Sequence, residues 1–293
     1  MRLLITGAGG QLGREFQAAA AAFPQHDIIF ADHAALDVAD AAAARRLLRR
    51  LRVEAVVNAA AFTQVDLAET QPELAERVNH RGAACLAQAA AEAESLLIHI
   101  STDYVFDGSK RTPYTEQDRP APLSAYGRTK LAGEQAVRAA GGRHLILRTA
   151  WLYSTAAGSR NFVNTMRRLM QEKKELRLVT DQIGSPTCAA DLAADILRLL
   201  SAPLPPAAQQ GTYHYAGAGA CSRYEWAAAI RRLCGAETCR LIPCTSAEYP
   251  PLPAPRPAYS ALSSQAFEAA FGRQLPHWQA ALARRLSAPE KRG

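Results

Sequence analysis

The chain is predicted to fold as an α/β protein, a doubly wound parallel sheet with helices on both faces, and three observations carry that expectation. Short apolar segments of about five residues alternate with longer, Ala-rich segments of helical period. The first apolar segment runs directly into a glycine-rich turn and then a helix. The alternation holds over the first half of the chain and loosens only after residue 150.

Strands are expected near 2–6, 26–31, 54–58, 96–101 and 143–149, with helices near 11–22, 40–51, 71–92 and 125–140. The strand Arg2-Leu3-Leu4-Ile5-Thr6 leads into Gly7-Ala8-Gly9-Gly10-Gln11-Leu12-Gly13, a G-x-x-G-x-x-G turn. Gly7 permits the tight turn, Gly10 lets the backbone approach a pyrophosphate, and Gly13 lets the helix lie close on the strand. The helix N-terminus adds orphan N–H groups and a positive dipole end. A glycine-rich turn that binds nothing looks the same in isolation, but this one follows a strand and precedes a helix, as dinucleotide binding requires. Gln11 and Leu12 belong to the same candidate cofactor set.

The second strand ends at Asp32, 19 residues after Gly13, about where an acidic residue meets the adenosine ribose. A carboxylate there accepts from a free 2′-hydroxyl and repels a 2′-phosphate, so Asp32 leans towards NADH; its plainer reading is a solvated strand end, and His33 beside it leaves room for a phosphate. Leu36-Asp37-Val38 and Asn58-Ala59-Ala60-Ala61 read as loops at strand ends, and Asp37, Val38, Ala59, Ala60 and Ala61 complete the cofactor-facing candidates. Arg45, Arg46, Arg49, Arg50 and Arg52 read as the exposed face and C-terminal end of a helix.

The fourth strand delivers Ser101-Thr102-Asp103-Tyr104 to its carboxyl end, where open α/β sheets bind ligands. The following helix carries Tyr126 and Lys130, which share a face because residues four apart are helix neighbours. A fixed cation favours the phenolate and makes the pair a tuned acid/base. Alone, Y-x-x-x-K arises by accident on any solvated helix, and Thr102 alone is a strand-end turn residue; the glycine turn upstream reverses both readings. Thr102 then becomes a second donor to the oxygen of a bound carbonyl.

Composition bounds the rest. The 293 residues, 48% hydrophobic, suffice for one large α/β domain and a smaller one. No apolar run reaches membrane-spanning length and the N-terminus enters a strand directly, so a cytoplasmic protein without membrane span or signal is expected. The net charge of +7 points to anionic partners, and the dispersed Arg residues favour a nucleotide-linked substrate over nucleic acid. Six cysteines contain no C-x-x-C pair and read as reduced structural thiols; Cys234, Cys239 and Cys244 with His214 fit no zinc-ligand spacing well. Pro-rich stretches at 203–206 and 250–257 suggest irregular connections.

Taken together, Gly7–Gly13, Asn58–Asp66, Ser101–Gly108, Tyr126–Glu134, Arg148–Tyr153, Asn161-Phe162-Val163, Asp181–Thr187, Gly211–Gly217 and Arg256-Pro257 resemble an extended short-chain dehydrogenase/reductase, and more closely the dTDP-4-dehydrorhamnose reductase family. The resemblance implies a Rossmann-type domain over 1–150, to which later segments return, and a mainly substrate-binding domain over 151–293. It implies Tyr126 as proton donor, Lys130 as its partner and nicotinamide-ribose ligand, and Thr102 as assistant, with NADPH or NADH as cofactor. It places a dTDP-sugar against Thr102, Asp103, Trp151 and, as a diphosphate partner, Arg256; read from the residues alone, Trp151 is an ordinary buried aromatic. The implied reaction converts dTDP-4-dehydro-β-L-rhamnose to dTDP-L-rhamnose. The alternatives are another dTDP-4-ketosugar, or a non-catalytic regulatory subunit of a methionine adenosyltransferase, against which the intact Thr102/Tyr126/Lys130 set speaks. Some family members bind Mg²⁺ at a homodimer interface through Glu15 and acidic residues beyond Thr187; here Cys188-Ala189-Ala190 follow and only Asp191 is acidic, a departure that leaves no metal ligands assigned.

Overall fold

The computed structural model describes residues 1–156, 158–205 and 210–287. Its first half runs β1 (Arg2–Thr6), α1 (Gln11–Ala19), β2 (Asp27–Ala31), α2 (Ala41–Leu51), β3 (Ala55–Asn58), α3 (Val65–Thr70), α4 (Pro72–Glu76), a π turn (Arg77–Arg81), α5 (Gly82–Glu92), β4 (Leu96–Thr102), α6 (Ala125–Ala139) and β5 (His144–Thr149). There follow β6 (Leu152–Tyr153), α7 (Phe162–Glu172), β7 (Glu175–Val179), β8 (Ile183–Gly184), β9 (Thr187–Cys188), α8 (Ala189–Leu199), β10 (Gln210–His214), β11 (Cys221–Ser222), α9 (Arg223–Leu233), β12 (Arg240–Cys244), α10 (Gln265–Phe271) and α11 (Trp278–Ser287).

The central sheet has six parallel strands in the order β10-β5-β4-β3-β1-β2. Alternate residues of its strands enter two different cores, as a parallel sheet covered on both faces demands. Leu3, Ile5, Val57, Ile98 and Leu147 pack with Leu192 and Ile196 of α8 on one face. Leu4, Val56, Leu97 and Ile146 pack with Leu48 of α2 and Leu86 of α5 on the other. Strand order reverses between β1 and β3, so a crevice opens where Gly7 and Ala59 leave their strands.

The expected elements are present, with two differences. The single helix expected near 71–92 is divided into α4, the π turn and α5. The π turn projects Asn79 at the loop after β3: its side chain accepts from Phe62 N (2.8 Å), and donates to Phe62 O and Thr129 Oγ1, both at 3.1 Å. Pairing with a distant loop outweighs the regular i→i−4 ladder there. The sheet also gains β10, which lies against β5 although 60 residues separate the end of one from the start of the other.

Beyond β5 a third core forms around Trp226 of α9, with Tyr153, Met166, Met170, Leu241, Trp278 and Leu282. The parallel pair β7–β12 lies beside it. Among the described residues no helix is long and apolar enough to cross a membrane, and all six cysteines are free.

Candidate active site

The glycine turn is built as its spacing demands. Gly7 has φ +66°, and a Cβ there would stand 2.7 Å from the Ala59 carbonyl and Ala60 nitrogen. At Gly13 a Cβ would lie 2.4 Å from Gly7 O. Only glycine allows helix, turn and β3 loop to approach so closely. Gly10 caps α1 without any side-chain hydrogen bond, so the first helical N–H groups face the crevice as donors for a phosphate. This bare helix end, with no Cβ over it, is the feature that fits a dinucleotide pyrophosphate.

Asp32 leaves β2 beside this turn, its Cβ 3.9 Å from where a Gly9 side chain would begin. One carboxylate oxygen accepts from Ala35 N at 2.9 Å and the side chain remains exposed. Asp37 is held by Ala39 N and pairs with Arg77, while Val38 is buried against Gly82. Leu12 is buried in the core. Gln11 spans the two halves of the protein: its amide donates to Leu152 O (3.1 Å) and its oxygen accepts from Asn161 (2.7 Å).

Thr102, at the end of β4, lies opposite Thr149 of β5, two residues before Trp151. Its side chain hydrogen-bonds Tyr126, which the N-terminal turn of α6 delivers from the other side; Ser124 caps that helix onto Gly127 N at 3.1 Å. Gly127 is required, since a Cβ would meet Tyr104 O at 2.2 Å. Burial pushes the Tyr126 phenol above its usual range, against the Thr102 hydrogen bond. Lys130 is 2% exposed, donates to Ile100 O at 2.6 Å and lies 3.5 Å from His99 Nε2. Burial lowers its ammonium to about 8, opposed by Glu134.

Glu134 anchors this helix to the sheet. Completely buried, it accepts two bonds from Arg148 of β5 at 2.8 Å each, one from Ser101 at 2.6 Å and one from Arg138 at 2.8 Å. The Arg148 guanidinium and these hydrogen bonds hold its carboxyl down at about 2, against burial.

Trp151 adopts a left-handed backbone, φ +46°, uncommon for a bulky residue. Its indole fills the space a Gly184 side chain would take and stacks on Trp226 at 5.4 Å. The guanidinium of Arg223 lies 3.5 Å from its ring centroid. Arg223 also interacts electrostatically with Asp103, Tyr104 and Arg256. Sequence reasoning missed it, because a single Arg opening a helix carries no motif. Arg256 donates to Asp66 at 2.7 Å, pinning its loop to α3; Gly108, at φ +79°, lets Pro257 pack against it. Glu15 is bound by Ser154 and Arg285, and Asp191 by Arg284 at 2.5 Å.

With that geometry in view, comparison with known proteins is decisive. Residues 1–290 match the family model described as the RmlD substrate binding domain. The dTDP-4-dehydrorhamnose reductase of Mycobacterium tuberculosis H37Rv is 44% identical over 292 residues, covering 98% of this chain and 93% of that protein. The chain belongs to this reductase family. A solved dTDP-4-dehydrorhamnose reductase of Clostridium acetobutylicum superposes with a TM-score of 0.90 at 40% identity, covering 98% of each chain. The Bacillus anthracis family member, solved in complex with NADP, gives 0.88 at 36% identity, covering 97% of this chain and 98% of its own.

Proposed function

We propose that the protein is an NAD(P)H-dependent reductase of the C4 carbonyl of dTDP-4-dehydro-β-L-rhamnose, yielding dTDP-L-rhamnose. The observation that carries this reading is the Thr102–Tyr126 hydroxyl pair, with buried Lys130 one turn further along α6, at the carboxyl edge of the sheet, in a chain matched end to end by such reductases. When bound, the nicotinamide cofactor supplies the hydride. Its pyrophosphate belongs on the α1 N-terminus at Gly7–Gly13, and its adenosine ribose beside Asp32.

Tyr126 donates its proton to the oxygen as negative charge develops there. Lys130, fixed by Ile100 O, supplies the positive field that eases loss of that proton. Trp151 borders the sugar, and Arg223 and Arg256 meet the diphosphate, where guanidinium geometry suits phosphate oxygens. Incubation with dTDP-4-dehydro-β-L-rhamnose should oxidise NADPH or NADH stoichiometrically and yield dTDP-L-rhamnose; no oxidation with this sugar would refute the assignment.

A further inference from the structure

The Thr102 hydroxyl is fully committed. Its oxygen accepts from Tyr104 N at 3.2 Å and bonds the Tyr126 phenol, and its single proton goes to Asp103 Oδ1 at 3.1 Å. A hydroxyl has one proton and two lone pairs. In this arrangement Thr102 has no proton left to donate to a substrate oxygen. Asp103 is only 2% exposed, and its second oxygen, Oδ2, is buried without a hydrogen-bond partner.

We propose that Asp103 is a positioning residue whose protonation turns the Thr102 hydroxyl from Asp103 to the carbonyl, where it joins Tyr126 as a second donor; the proposal rests on the reductase reading above. Tyr104 N occupies one lone pair of Thr102 Oγ1, and the second can accept. A protonated Asp103 fills it by donating its carboxyl proton to Thr102 Oγ1. The Thr102 proton is then released from Asp103 and turns to the substrate oxygen. No covalent bond changes and no proton is gained beyond the one on Asp103. With Asp103 ionised, Thr102 stays turned inwards and the carbonyl receives a single donor.

The groups facing Asp103 are Thr102 and Tyr104 on its own segment, Tyr126 from α6, Ser260 from the C-terminal loop and the Arg223 guanidinium from α9. Burial raises its carboxyl to about 6, opposed by Ser260, Thr102 and Arg223. About half of the molecules are then protonated at pH 6 and roughly a tenth at pH 7, against about a thousandth for a surface aspartate at pH 7.

The test is kcat/KM for ketosugar reduction between pH 5 and 8 in the wild type and Asp103→Asn. In the wild type kcat/KM should fall by about tenfold as pH rises through about 6. Asp103→Asn, isosteric with the protonated acid, should abolish that limb and still bind NADPH. If Asp103→Asn does not fold, Thr102→Ser, which keeps the hydroxyl, should retain the limb and Thr102→Val should lose it. Reduction with no such limb in the wild type, or with the limb intact in Asp103→Asn or Thr102→Val, overturns the proposal and leaves the reductase reading standing. Absence of reduction at every pH overturns the reductase reading instead.

Discussion

Glu134→Gln isolates the contact that fixes α6 to the sheet. Glutamine keeps the shape but replaces one acceptor oxygen with a donor, so one Arg148 N–H, now at 2.8 Å from carboxylate oxygen, would face another N–H. Both groups are buried, and breaking such a pair leaves an uncompensated cation, at a cost of about 3–5 kcal/mol. At about 2 °C per kcal/mol for a chain of this size, the melting temperature should fall by roughly 6–10 °C. The pH dependence gives a second handle. The folded value is depressed from 4.5 to about 2, so the stabilisation is present above pH 4.5 and is lost as pH falls towards 2. That interval corresponds to roughly 3 kcal/mol at about 1.4 kcal/mol per pH unit. Urea unfolding of both proteins at pH 7 and pH 3 should therefore show the gap between them narrowing in acid. A mutant that melts within about 1 °C of the wild type at pH 7 would refute the claim that this pair holds α6 to the sheet.

Three further outcomes are expected. Tyr126→Phe removes only the hydroxyl, so kcat should drop at least ~10²-fold with NADPH affinity nearly unchanged, measured by steady-state kinetics and fluorescence titration; an unaltered kcat removes Tyr126 from the reaction. Asp32→Ala deletes a ribose acceptor and a like charge beside the glycine turn, so the ratio of NADPH to NADH efficiency should rise, and equal effects on both would place Asp32 outside the cofactor site. Trp151→Ala should raise the KM for the ketosugar and also cost about 2–4 kcal/mol, because the indole packs on Trp226 and Gly184 as well as on Arg223. A melting shift with a normal KM would mean the ring serves packing alone.

Much of the candidate site could be read from the chain because its geometry is local. Gly7, Gly10 and Gly13 are set by a single turn, and Tyr126 and Lys130 by helical period. Partners set by long-range packing were not legible in this way. Arg223 reaches Trp151 only once α9 docks on the core around Trp226. Asp103 was placed against substrate by resemblance, and its hydrogen bond to Thr102 required the turn after β4 to be folded. Asn79, in a segment of helical pattern, breaks the helix to bind a loop 17 residues away in sequence.

The sequence by itself determined the alternation, the parallel sheet and the glycine turn, because side-chain period, backbone freedom at glycine and spacing along one element are properties of neighbouring residues. Only the tertiary structure decided which strand completes the sheet beside β5, how Glu134 finds Arg148, and where the Thr102 proton points. Those outcomes depend on which distant groups share a buried volume, where each charge or hydroxyl must find a partner or bear the full cost of leaving water.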